Sequence, residues 1–151
     1  MEYPKIETLY ERDDKTHKLK PELILKNPVY GIIKTWQFTE KIDGTNIRCT
    51  WKDNTLTYGG RTDNAQMHTD LYKHLQVTIT PDKMKAAFPD CEEVVLYGEG
   101  FGAGIQKGGG EYQQAKGFIL FDVLIGKWWL SHDNVVQIAE RLELPVVPYF
   151  G

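Results

Sequence analysis

Residues 46–59, NIRCTWKDNTLTYG, decide the fold. Ile47, Cys49 and Trp51 alternate with the more polar Arg48 and Thr50, which is the period of a half-buried strand. A Lys52-Asp53-Asn54 turn follows, and extended character resumes after it. The stretch therefore reads as a β-hairpin of strands 46–51 and 55–59.

Strand signals continue outward from the hairpin. Upstream, WQFTEKI (36–42) alternates aromatic and β-branched residues and predicts another strand, whereas the charged segment 11–22 predicts an exposed loop. Downstream, 65–89 is helical and loop-like, with a helix start at Thr80-Pro81-Asp82. VVLYGEG (94–100) and GFILFDVLI (117–125) are the most apolar strands, and KWWL (127–130) continues as a strand from a Gly126-Lys127 turn. In 131–144, Ser131 can cap a helix whose Val135, Ile138, Ala139 and Leu142 recur at helical spacing. Pro145 is expected to end that helix, and VVPYF is a final extended piece. The predicted class is α+β, mostly antiparallel β-sheets with a few helices.

The chain has 151 residues, 41% hydrophobic and 26% charged, which suits one soluble globular domain. A formal net charge of −3 excludes binding to nucleic acid or membrane driven by bulk composition, but it leaves room for a local basic groove. Cys49 and Cys91 have no metal-ligand spacing; they read as reduced thiols, with one disulfide as the lesser alternative. The opening MEYPKIETLY has no apolar signal region, and no apolar run approaches the roughly 20 residues of a membrane span. A cytoplasmic protein is expected. His17, His68, His74 and His132 form no ligand pattern.

Four stretches carry candidate chemistry. In FTEKIDGTNIR (38–48), Lys41 alone would be an ordinary solvated cation. The adjacent Asp43-Gly44 turn lets backbone approach a ligand, and a desolvated lysine amine becomes a nucleophile. In YGEGFGAGIQKGGG (97–110), the glycines fit neither common phosphate-loop pattern, and the stretch taken alone is a glycine-tolerant loop. Glu99 between two glycines could accept hydrogen bonds from ribose hydroxyls or help hold a metal ion. Phe121 in FILFDV (118–123) is by default a core residue, although an aromatic at a strand edge can stack on a purine. Arg61, after Gly59-Gly60, could reach a phosphate or sugar.

Taken in this order, the four stretches resemble the covalent nucleotidyltransferases: ATP-dependent DNA and RNA ligases and mRNA capping enzymes. Lys41-Ile42-Asp43-Gly44 looks like their KxDG nucleophile motif, and Arg61 like the arginine of the motif after it. Tyr97-Gly98-Glu99-Gly100 looks like the third motif, and Phe118 to Val123 like the strand motif with the stacking aromatic. Within the group, the similarity is strongest to phage-type RNA ligases of the double-strand-repair class. Asn46 stands where DNA ligases and capping enzymes usually carry arginine. YGEGFGAGIQKG resembles the extended signature of the RNA ligases, and YPKIETLYERD their N-terminus.

The resemblance implies an ATP-grasp-like nucleotidyltransferase domain over 1–151. It implies that Lys41 attacks the α-phosphate of ATP to form lysyl-AMP. Glu99 would bind ribose and Phe121 would stack on adenine. Glu40 and Ile42 would lie near base and sugar. Arg61 and Asn46 would contact sugar, phosphate or the RNA end. Mg2+ would neutralise phosphate charge, with its protein ligands unassigned. The AMP would pass to a 5′-phosphate RNA end, which a 3′-hydroxyl then seals; the protein would act as a monomer in the cytoplasm, the host's if phage-encoded. A DNA ligase or capping-type transferase is the alternative within the class, and a catalytically silent nucleotide-binding or nucleic-acid-end-binding domain is the alternative outside it. Nothing here resembles the family's fourth motif, an acid on an E-G-hydrophobic strand, or the lysines of its fifth. The expected domain therefore lacks the C-terminal strands that carry them.

Overall fold

The computed structural model describes residues 1–150. Its main feature is a five-stranded, wholly antiparallel sheet in the order β3-β2-β4-β5-β6. The strands are β2 (Thr45–Lys52), β3 (Thr55–Gly59), β4 (Glu93–Phe101), β5 (Gly117–Ile125) and β6 (Trp128–Trp129). The helices are α1 (Thr69–Thr78), α2 (Pro81–Ala87), the single turn α3 (Gly109–Tyr112) and α4 (His132–Leu142). The short strands β1 (Phe38–Thr39) and β7 (Tyr149–Phe150) form a separate pair. No helix is long and apolar enough to cross a membrane.

The hairpin forms as its sequence requires. Asp53 and Asn54 both take positive φ, 49° and 57°, which gives the two-residue turn whose twist matches that of the flanking strands. Lys52 then faces Thr55 and Arg48 faces Gly59. Ile47, Cys49 and Trp51 point to one side, where Leu71 and Leu75 of α1, Met84 of α2 and the predicted stripe Val135, Ile138, Ala139 and Leu142 of α4 cover them. β4, in the middle of the sheet, is apolar on both faces. Val94 and Leu96 join this main core, while Val95 and Tyr97 join a smaller cluster on the opposite face.

Several sequence expectations shift in detail. WQFTEKI is a strand only at Phe38–Thr39; the N–H of Glu40 then donates to the carbonyl of Pro148 (3.0 Å), and the chain stays irregular to Gly44. The stretch 97–110 is strand as far as Phe101, and the loop begins at Gly102. A methyl group at Gly98 would sit 2.3 Å from the Phe118 ring, and one at Gly100 would sit 2.4 Å from Leu71. These two glycines make room for core side chains. β5 runs through Phe121 and Asp122 to Ile125, over the whole apolar stretch 117–125.

The helix ends also differ from expectation. Thr80 caps α2 by accepting from the N–H of Lys83 (3.3 Å), but Ser131, at the start of α4, makes no side-chain capping bond. Thr80→Ala should therefore cost about 1 kcal/mol in a urea titration, with Ser131→Ala costing clearly less. α4 stops at Leu142 because Glu143 turns into the left-handed region (φ 57°), two residues before Pro145. Residues 145–147 instead run parallel beside β5, with Leu120 donating to the Pro145 carbonyl and accepting from Val147.

The chain divides into two compact units, one of residues 1–3 and 39–148, the other of residues 4–38 and 149–151. The first contains the sheet and its helices. In the second, none of the described residues is buried. Its order comes from turns and surface pairs: Asp13 accepts from the N–H groups of Lys15 and Thr16, Lys20 pairs with Glu11 at 2.5 Å, and Asn27 caps a short 3-10 helix at Pro28–Ile32. Exposed pairs of this kind contribute about 1 kcal/mol or less each.

Candidate functional site

Lys41 is exposed rather than desolvated, contrary to the expectation for a nucleophilic lysine, and lies on the irregular segment between β1 and β2, anchored by Ile42, which is buried. Glu40 is half-buried. The N–H of Asp43 donates to the hydroxyl of Tyr112 at 3.2 Å. At Gly44 the backbone presses against β4: a methyl group there would lie 2.2 Å from the carbonyl oxygen of Gly100 and 3.0 Å from Cγ of Glu99. The N–H of Gly44 donates to the Glu99 carboxylate. The turn thus carries Lys41 into electrostatic reach of Glu99.

Glu99 and Asn46 are direct partners across the β2–β4 ladder, on the face opposite the main core. Burial pushes the Glu99 carboxyl up to about 7 from an ordinary 4.5; the charge of Lys41 and the N–H of Gly44 oppose the rise, and Asp43 adds to it. Beside it, the Oδ1 of Asn46 is buried with no hydrogen-bond partner. A buried acceptor left unpaired is costly, so this oxygen is placed to receive a donor from a ligand.

The raised Glu99 value has a stability consequence. Between pH 4.5 and about 7 the folded chain binds the proton that the unfolded chain has released. Stability from this group is therefore full below pH 4.5, falls as pH rises to about 7, and stays low above that. Glu99→Gln should melt higher than wild type at pH 8, with the difference closing at pH 4. Equal melting temperatures at both pH values would contradict the assignment.

Phe121 and Asp122 share this face because β5 bulges. Tyr97 faces Asp122 but Gly98 faces Leu120, so Phe121 is the extra residue. Leu120 and Val123 enter the main core, whereas Phe121 packs on the smaller cluster. Phe121 is half-buried, with Tyr3 edge-on to it (5.0 Å between centroids). The Tyr3 hydroxyl donates to Asp122 at 2.5 Å, and its ring also meets Tyr97 and Trp129. Burial raises the Asp122 carboxyl, and the Tyr3 hydrogen bond and His132 oppose that rise.

Arg61 is exposed in the loop after β3 and makes no hydrogen bond or ion pair among the described residues. The loop leaves β3 alongside Asn46, since Gly59 pairs with Arg48 and a methyl group at Gly60 would lie 3.9 Å from the Asn46 carbonyl oxygen. The structure therefore groups Lys41, Glu99 and Asn46, places Phe121 further along the same face, and leaves Arg61 at the margin. The glycine-rich loop closes on itself. Ala103, Ile105 and Glu111 all donate their N–H groups within it, and Lys116 bonds the Ala103 carbonyl, so those three amides do not form a phosphate cradle. No three His, Cys, Asp or Glu side chains among the described residues converge on a metal-binding position. Tyr3, Tyr112 and Arg48 escaped the sequence reading. Only Arg48, two residues from Asn46 on an alternating strand, had a local signal.

The sequence matches the RNA ligase family over residues 34–151. No curated protein matches it. Among solved structures, a variant of the Naegleria gruberi RNA ligase with ATP and Mn superposes with a TM-score of 0.68 at 21% identity, covering 82% of this chain and 38% of that one. A second variant, with AMP and Mn, gives 0.68 at 20% identity, covering 82% and 39%. The chain thus spans about two fifths of the length of these proteins. At such identity, the likeness establishes the shared fold.

Proposed function

The chain belongs to the RNA ligase family, and from that membership we propose that it is the adenylyltransferase domain of an ATP-dependent RNA ligase with Lys41 as its nucleophile. The observation that carries the proposal is the turn that seats Lys41 near a half-buried carboxyl group and an unpaired amide oxygen. The similar solved structures with ATP or AMP and Mn support a nucleotide and a divalent ion as the ligands.

In this reading adenine lies against Phe121, with Glu40 and Ile42 near the base and sugar. Glu99 accepts from the ribose hydroxyls, and Asn46 and Arg61 meet sugar, phosphate or the RNA end. The Lys41 amine gives up a proton to solvent and attacks the α-phosphorus. A P–N bond forms, the bond to the β-phosphate oxygen breaks, and pyrophosphate leaves. An RNA 5′-phosphate oxygen then displaces the lysine, and a 3′-hydroxyl displaces AMP to form the phosphodiester. The residues present do not make a dedicated magnesium cage. Such an ion commonly enters on substrate phosphates with one or two carboxylates, and it would neutralise phosphate charge. The proposal treats 1–151 as a single adenylation domain, monomeric and cytoplasmic, with phage-type relatives.

Mass spectrometry of the chain after incubation with ATP, and separately with GTP, tests this reading. An AMP adduct on Lys41 is the expected result. Labelling by GTP alone, or nucleotide binding with no adduct, would overturn it.

A further inference from the structure

We propose that Arg48 forms a second phosphate subsite beside Asn46, with Asp63 as its resting counter-ion. The inference deepens the reading above and rests on it. Arg48 follows Asn46 by two positions on β2, so both side chains leave the same face of the sheet, about 7 Å apart. Its side chain is only 11% exposed and lies over Gly59, where a methyl group would come within 3.2 Å of Nε. A guanidinium has five N–H donors. The one hydrogen bond Arg48 makes among the described residues is to Asp63, whose side chain is 85% exposed. The guanidinium keeps some contact with water, and its one exposed partner leaves donors available to a ligand.

The neighbouring Asn46 Oδ1 has the complementary need, since it is a buried acceptor with no donor. A hydroxyl donor for Asn46 and a phosphate acceptor for Arg48, needed side by side on one face, are the groups of a ribose–phosphate unit. A phosphate replaces Asp63 on Arg48 while the attached sugar hydroxyl reaches Asn46. Asp63 sits two residues from Arg61, so the exchange also frees the loop that carries Arg61. Asp63 is the exposed member of the pair, so water already competes for its carboxylate and a phosphate can replace it.

The signs of two substitutions separate this from a merely structural ion pair. Fluorescence anisotropy with a nicked RNA duplex bearing a 5′-phosphate reads affinity, and the ATP dependence of adduct formation reads the nucleotide. Arg48→Met keeps the apolar stem and should weaken one of these ligands about tenfold. Asp63→Asn removes the competitor and should tighten the same ligand about threefold. An effect in the RNA arm assigns the subsite to the strand, with the salt slope reduced by about one in Arg48→Met. An effect in the ATP arm assigns it to the triphosphate. The proposal is overturned if both substitutions weaken binding, or if Asp63→Asn moves neither ligand. Because Asp63 is a surface residue, its variant should fold normally, and the result does not depend on the stability of Arg48→Met. Failure of wild type to form any adduct would instead count against the adenylyltransferase reading.

Discussion

Lys41→Ala will carry no AMP after incubation with ATP, and its urea midpoint will match that of wild type. The lysine amine supplies the only covalent bond to the nucleotide in the proposed intermediate. Its removal should lower adduct formation by more than about a thousandfold. The side chain is exposed and makes no hydrogen bond or ion pair among the described residues, so its loss should change stability by no more than about 0.5 kcal/mol. Lys41→Arg should fail as completely, because a guanidinium does not give up its proton in proteins. An adduct that persists in Lys41→Ala would move the nucleophile elsewhere. Loss of adduct together with loss of fold would return Lys41 to a structural role.

Gly44→Ala should damage both fold and chemistry. The added methyl would lie 2.2 Å from a backbone oxygen of Gly100, and β4 is held on both sides by ladder bonds, so it cannot easily retreat. Relief must come from the turn, which would lift away from Glu99. Overpacking of this kind costs about 1–3 kcal/mol or more. Here the same displacement would break the Gly44 N–H bond to Glu99 and move Lys41. Gly126→Ala is the matched control. Gly126 has positive φ (57°) but nothing within 4 Å of an added methyl, so that change should cost about 1 kcal/mol and leave adduct yield intact. Chemical denaturation and adduct yield measured on both variants decide the point. A Gly44→Ala protein with wild-type stability and yield would refute the close-approach argument.

The two substitutions separate what is local from what is not. The requirement for glycine at 44 is written beside the lysine, yet its physical cause lies 56 residues away on β4. Glu99 shows the same division. Its place between glycines was visible, but its raised proton affinity follows from burial and from a turn that arrives from another part of the chain.

By itself the sequence determined the hairpin at 46–59, the apolar strands β4 and β5, the covered face of α4, and the order of the motif residues. Periodicity, turn chemistry and composition are local properties, and a strand or helix expresses them wherever it lies. Only the tertiary structure decided that Asn46 faces Glu99, that a bulge turns Phe121 and Asp122 to one face, that Tyr3 packs on them, and that Arg48 is largely covered with a single exposed partner. Each of these depends on ladder register and burial. Both are set by pairing between distant segments, which no window of neighbouring residues contains.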